Sequence, residues 1–317
     1  MFGRLFTRVV IVFWAITMAW LLAEKVVPPL LDGDPPDYSS ALETPAEDQL
    51  PEAWKLRWGQ RTIGYATSRT VARPHGQTDR LSYVEFEDLP LEALLSELLG
   101  PMSAVIQPML QDSRGLELNM LVATRMRFDD EKRLAAFDTT IDLGEMNNFL
   151  KLRGVLRNDG KLMIVAQMST GGSTSSEIFR QTVELPPEAL VEGSLSPRPE
   201  LRDLHLGQTW TIPVFRAFPP NSPVQILQAE VESDLYFLWG GEDVEAFVVV
   251  YRADAGSGVH ATRQPLSREW VRRSDGVILR QEVSFSGLEM AFERLTESEA
   301  RSRGDRLDEI RDRLWPN

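Results

Sequence analysis

Residues 149–168 read FLKLRGVLR, then NDG, then KLMIVAQM. Two alternating apolar runs flank Asn158-Asp159-Gly160, and Asp-Gly supplies the positive φ values that a tight hairpin needs. Ser274-Asp275-Gly276 repeats this chemistry, Gly240-Gly241 and Gly287 do similar work, and Asp129-Asp130 marks another turn. Near residue 54 the same rhythm begins. Trp54-Lys55-Leu56-Arg57-Trp58 alternates apolar and charged, the period of a half-buried strand, with Arg61 to Ala66 as its hairpin partner. Further strands are predicted at 80–87, 117–128, 133–142, 149–157, 161–168, 176–184, 209–216, 224–232, 235–239, 244–251, 261–272, 277–285 and 288–295. Strands joined by short turns form antiparallel sheets, because parallel pairs need long crossovers. The expected fold is mainly β: one large antiparallel curved sheet or half-barrel.

Two segments break that rhythm. In Asp88 to Leu99, Asp88 can cap a helix on which Leu91, Leu94, Leu95 and Leu98 share one face, and Gly100-Pro101 stops it. Met102, Val105, Ile106, Met109 and Leu110 follow. Laid on the concave face of a curved sheet, these side chains are either plain core or a cover over a lipid-sized cavity; methionine suits adaptable apolar surfaces. Leu91, Leu94, Leu95, Leu98, Met102, Ile106 and Met109 are therefore the candidate lining of an apolar ligand site. At the other end, Thr296 and Glu299 form a capping-box pattern ahead of a charged helix striped by Leu307, Ile310 and Leu314, with Gly304 weakening its middle. Residues 185–206 carry Pro186, Pro187, Pro197 and Pro199 and read either as a long connection within one sheet or as a boundary between two lobes, the first being favoured.

Val9 to Ala23 is an uncharged run of 15 residues, VVIVFWAITMAWLLA, preceded by Arg4 and Arg8 and followed by Glu24 and Lys25. As a helix it spans roughly 22 Å, short of a hydrocarbon core of about 30 Å, and flanking residues that snorkel make up the difference. An uncleaved single-pass anchor fits better than a cleaved secretory signal, because Leu21 and Ala23 do not make a small-x-small cleavage pair. Both readings export the rest of the chain, and the leading arginines place the N-terminus in the cytoplasm. Pro28 to Glu52 is rich in proline and acid without lysine or arginine, the composition of an extended spacer, the alternative being that part of it packs as an N-terminal arm. The expected organisation is an anchor over 1–27, an acidic Pro-rich tether over 28–52, a β-rich extracytoplasmic (periplasmic) domain over 53–297 and a charged C-terminal helix over 298–317.

The net charge of −13 argues against a nucleic-acid partner, which rewards a basic stripe. The absence of cysteine excludes disulfides, thiolate metal sites and a cysteine nucleophile. His75 sits in Pro-His-Gly, His205 precedes Gly207 in a loop and His260 opens a predicted strand; none has a metal-site partner at ligand spacing. There is no Gly-x-Ser-x-Gly elbow, Walker loop or dinucleotide fingerprint. Ser169 to Ser176 reads as a hairpin loop, and Glu230 and Glu232 as one solvated strand face. No catalytic residue, cofactor or metal is expected.

Several stretches carry a resemblance: Trp54 through Trp58, Ile63-Gly64-Tyr65, Leu206-Gly207-Gln208-Thr209-Trp210, Trp270-Val271 with Ser274 to Arg280, and Phe292-Glu293-Arg294. Over residues 53–297 the chain resembles exported β-rich envelope domains that look like the half-barrels of lipoprotein-localisation carriers. The resemblance implies a non-enzymatic role in binding a ligand or partner, and it brings no catalytic residues. The acidic tether and retained anchor depart from a freely diffusing carrier. The expected function is a membrane-tethered binding module for a lipid-like or lipoprotein-like apolar ligand or an envelope partner. The alternatives are a structural or assembly protein of the envelope and, third, a carboxylate-based hydrolase.

Overall fold

The computed structural model describes residues 2–22, 35–36, 38, 51–87, 119–169, 175–186, 188–192, 197–216, 224–254, 264–285 and 288–315. Helix α1 covers Phe2–Leu21 and helix α2 covers Glu297–Leu314. Between them lie β1 (Glu52–Trp58), β2 (Arg61–Ala72), β3 (Thr78–Phe86), β4 (Met120–Phe128), β5 (Leu134–Leu143), β6 (Met146–Leu156), β7 (Lys161–Ser169) and β8 (Ser175–Glu184). The second half contributes β9 (Leu190–Glu192), β10 (Thr209–Arg216), β11 (Val224–Trp239), β12 (Glu242–Ala253), β13 (Ser267–Arg272), β14 (Ile278–Phe285) and β15 (Leu288–Arg294).

All fifteen strands belong to one curved, unclosed sheet in the order β8-β7-β6-β5-β4-β3-β2-β1-β15-β14-β13-β12-β11-β10-β9. Two meanders are thus joined where β1 pairs with β15, Trp54 opposite Arg294 and Trp58 opposite Met290. The expected alternation holds at the seam: Trp54 and Leu56 are fully buried, while Lys55 and Arg57 are only half-buried. Inward side chains from both meanders form one core, from Leu162, Ile164 and Ala166 on β7 to Trp210 and Ile212 on β10. The halves meet at Phe137 of β5 and Phe215 of β10, whose ring centroids lie 5.9 Å apart.

Turn chemistry behaves as expected at Asn158-Asp159-Gly160, where Gly160 takes φ 76° and Arg157 N–H donates to the Lys161 carbonyl at 2.8 Å. Gly276 has a second reason to be glycine. Its φ is 75°, and a Cβ there would lie 2.6 Å from the Leu201 carbonyl, whose own amide donates to the Gly276 carbonyl at 2.7 Å. The β13–β14 turn is therefore the dock for Pro199–Leu201.

Three expectations are corrected. The runs 224–232 and 235–239 are one strand, β11, with a bulge between Val231 and Ser233. The extra residue shifts the alternation, so the sequence reads as a break. The sheet is not antiparallel throughout: β9, inside the proline-rich connection, pairs parallel with β10, Val214 opposite Leu190. Gly304 is not merely a weak point of α2. A Cβ there would sit 2.9 Å from Pro51 Cγ and 3.0 Å from Arg69 Nη2, so glycine lets the helix lie close on the sheet.

Helix α2 crosses the outer face of β1–β4. Leu307 and Ile310 pack on Leu81, Tyr83 and Ala123, and Ala300 packs on Ala53 and Leu295. Its N-terminus carries the expected cap: Thr296 N–H donates to Glu299 Oε2 at 3.0 Å. Arg69 clamps Asp308 through two 3.1 Å bonds. Helix α1 displays Phe6, Phe13, Trp14 and Trp20 exposed. Among the described residues no helix is long and apolar enough to cross a membrane. The described uncharged run, Val9 to Leu22, is shorter than the roughly 20 residues that a span needs.

Gly154 lies opposite Phe137 in the β5–β6 ladder, and a Cβ on it would fall 1.9 Å from the Phe137 ring. Gly154→Ala is expected to lower the unfolding free energy by about 1–3 kcal/mol in urea titration, by overpacking. Combining it with Phe137→Leu should recover part of that loss; strictly additive losses would show that the two positions do not interact.

Candidate functional site

The inner face is not uniformly apolar. One rung runs Glu52, Ser68, Ser82, Thr124, Thr139 across β1 to β5, each residue directly opposite the next. The four hydroxyl residues are buried. The next inward rung on one side is apolar: Trp54, Ala66, Val84, Val122, Ile141. On the other side stand Thr70, Arg80, Met126 and Phe137. Arg80 reaches back to the polar rung, donating to Glu52 Oε2 at 3.0 Å and to Ser68 Oγ at 3.2 Å, while Ser68 Oγ donates to Glu52 Oε2 at 2.9 Å. The Thr124 and Thr139 hydroxyls share a 3.0 Å hydrogen bond. Arg80 and Glu52 keep 12% and 15% of their side chains exposed, so this end of the seam touches solvent.

A second polar cluster occupies the inner face of β10–β14. Glu269 is fully buried on β13. Arg198 Nη2 donates to its Oε1 at 2.6 Å, Gln281 Nε2 to Oε1 at 3.1 Å, and the Tyr251 hydroxyl to Oε2 at 3.0 Å. Arg198 arrives from the Pro197–Leu201 segment, held by the Gly276 dock and by Ile278 N–H donating to the Pro199 carbonyl at 3.0 Å. Its guanidinium lies 5.0 Å from the Tyr251 ring centroid and 5.3 Å from that of Tyr38. Trp210 Nε1–H donates to the Tyr38 hydroxyl oxygen at 2.6 Å, and Trp210 meets Tyr251 edge-on at 6.4 Å. Of the stretch 28–52, Pro36 is buried and Tyr38 docks on the inner face. Burial pushes the Tyr251 phenol well above its ordinary range, with Arg198 opposing and Glu269 reinforcing the rise. Tyr38 is raised for the same first cause.

Outside the sheet, Asp79 is gripped by Arg73 at 2.5 Å and Arg125 at 2.7 Å, with Arg127 at 3.7 Å. Glu230 and Glu232 share Arg252, so that strand face is ion-paired rather than merely solvated. His75 sits in a 3₁₀ turn at φ 63°, and His205 lies in a loop. Among the described residues no group of three or more His, Cys, Asp or Glu side chains is placed to hold a metal ion. The candidate lining Leu91, Leu94, Leu95, Leu98, Met102, Ile106 and Met109 lies outside the described residues, as do His260 and Gly287. The chain leaves the sheet at Phe86 and re-enters at Met120, and these two inward residues are direct ladder partners.

Neither polar cluster was singled out from sequence. The polar rung across β2–β5 consists of ordinary Ser and Thr positions whose alignment exists only once the register is known. Arg198 and Tyr38 sit in segments that read as connectors; their shared signal is the flanking proline, Pro36 near Tyr38 and Pro197 and Pro199 around Arg198.

No protein-family model matches the chain, and no curated protein matches it. Among solved structures it is similar to a beta-barrel-like protein of domain of unknown function DUF1849 from Brucella abortus. The TM-score is 0.42 at 10% identity, covering 78% of this chain and 96% of that one.

Two measurements test this site. Thr124→Val alone leaves the buried Thr139 hydroxyl without its partner and is expected to cost about 1–3 kcal/mol in urea titration, whereas Thr124→Val with Thr139→Val is expected to be near neutral. Equal losses in both would mean that the hydroxyl pair is not coupled. For the phenols the sign is fixed by burial in the neutral form: their stabilisation is complete below the ordinary tyrosine pKa of about 10 and is lost as pH rises through the higher folded values. Absorbance titration should show phenols ionising late, and Tyr251→Phe should remove one of them; an unchanged late fraction would contradict the assignment.

Proposed function

We propose that this protein is a membrane-tethered binding module outside the cytoplasm, whose inner sheet face receives an amphiphile with an apolar body and a polar head. The carrying observation is the paired character of that face, an apolar rung beside the Glu52–Thr139 polar rung, with the Arg80–Glu52 end reaching solvent. Apolar chains are attracted by the first through the hydrophobic effect, and an ester or hydroxylated head group finds donors and acceptors along the second. The chain leaves and re-enters the sheet on either side of the Leu/Met-rich stretch 88–110 at two directly paired inward residues, Phe86 and Met120, which supports the reading of that stretch as the remaining wall. The exposed apolar residues of α1, preceded by Arg4 and Arg8, support a membrane anchor with a cytoplasmic N-terminus. On this reading the role is binding rather than catalysis, with the buried Glu269 engaged by Arg198, Tyr251 and Gln281.

A second reading, docking of an envelope protein, has its own observation. Among the described residues strand β8 pairs with β7 and ends the sheet, so its far side offers a ten-residue edge for strand addition.

The first experiment is titration of the full chain, purified in mild detergent, with a fluorescent fatty-acid analogue, alongside mass spectrometry of extracted lipids. Saturable binding is expected, and Leu94→Asp with Leu98→Asp should weaken it at least roughly tenfold, the size of one lost buried contact. A folded chain that neither binds the probe nor carries lipid would remove the amphiphile reading and leave partner docking.

A further inference from the structure

Arg198, Trp210 and Tyr251 make a site whose polarity suits one kind of group, a phenol on a proline-led segment. Trp210 offers an indole N–H at the bottom, aimed at an oxygen 2.6 Å away. Arg198 offers a cation to the face of the incoming ring, at 5.3 Å from its centroid. Tyr251, with Glu269 behind it, fixes Arg198 from the other side. The occupant is the chain's own Tyr38, in Pro35-Pro36-Asp37-Tyr38, with Pro36 also buried. Tyr38 belongs to no strand, and the fifteen-stranded ladder starts at Glu52.

From this geometry we infer that the inner face of β10–β13 is a recognition site for a tyrosine-bearing proline-led segment, filled in cis by Tyr38. The chain between Tyr38 and β1 is short, so the local concentration of the occupant is roughly millimolar, and the site stays filled against weak competitors.

The test is binding in trans. A labelled synthetic peptide covering residues 31–41 is titrated by fluorescence anisotropy into the full Tyr38→Ala chain and into the wild-type chain, both in detergent. The variant is expected to bind with a Kd of roughly 0.1 mM or tighter, about a tenth of the local concentration that keeps the site filled in cis, and the wild type about tenfold more weakly because its site is filled. The same peptide carrying Tyr38→Ala should not bind. Equal binding to both chains, or no binding to a Tyr38→Ala chain whose circular dichroism matches wild type, would overturn the inference. If Tyr38→Ala does not fold, Tyr38→Phe decides. It keeps the ring over Arg198 and removes the acceptor, so hydrogen exchange at the Trp210 indole N–H should speed up at least tenfold while the β12–β13 amides stay unchanged. Unchanged indole exchange would also overturn it.

Discussion

The ladder between β1 and β15 is the constraint on which everything else rests. Its strands are separated by almost the whole domain, yet they pair over Trp54↔Arg294 to Trp58↔Met290 and turn two meanders into one sheet. Arg294 is the knot. Its guanidinium lies 5.3 Å from the Trp54 ring centroid and donates to the Pro199 carbonyl at 2.8 Å, and its own carbonyl accepts from Trp239 Nε1 at 3.0 Å. Burial works against the charge on Arg294, and Glu52 works for it. Closing so long a loop costs little extra in equilibrium terms, since the entropy grows only with the logarithm of length, but it delays folding. Helix α2 then spans the joint from outside, reaching from Ala53 to Ala123.

The buried polar groups contribute placement more than stability. A buried Arg–Glu pair loses most of its Coulombic gain to desolvation, and well-packed apolar residues of the same volume are often as good. Arg198–Glu269 is therefore a weak source of stability but a strong source of register. It ties the 197–201 segment to β13, β12 and β14 through Glu269, Tyr251 and Gln281. A shift of one residue in any of them would leave a charge buried without its partner, at several kcal/mol. Asp79 plays the same part outside, where Arg73, Arg125 and Arg127 converge from β4 and the end of the β2–β3 hairpin.

The β character, the hairpin turns at Gly160 and Gly276, the Trp54–Trp58 strand and the capped C-terminal helix were legible because each depends on local periodicity or on a φ that only a few residues accept. What stayed hidden depends on the partner. Without the β12 register, the bulge after Val231 looks like the end of one strand and the start of another. Without the sheet beneath it, Gly304 reads as a flaw in a helix. Strand β9 is three residues long in a proline-rich stretch, too short for any period to show. The Ser68–Ser82–Thr124–Thr139 rung is a property of four registers at once, so single-strand reading cannot find it.

The sheet's two edges, β8 and β9, lie close in sequence, separated only by residues 185–189, and they do not pair. The geometry explains why. Strand β9 is held parallel to β10 by Val214, Phe215 and Arg216, and with three residues it can offer β8 no ladder of comparable length. Meanwhile β8 is kept from indiscriminate pairing by the bulge opposite Ala166–Gln167 and by the exposed Glu177–Arg180 ion pair, the devices by which edge strands resist aggregation. An edge guarded in this way rejects a flat, apolar strand but tolerates one whose charges complement Glu177 and Arg180. A closed barrel would have removed the edge altogether.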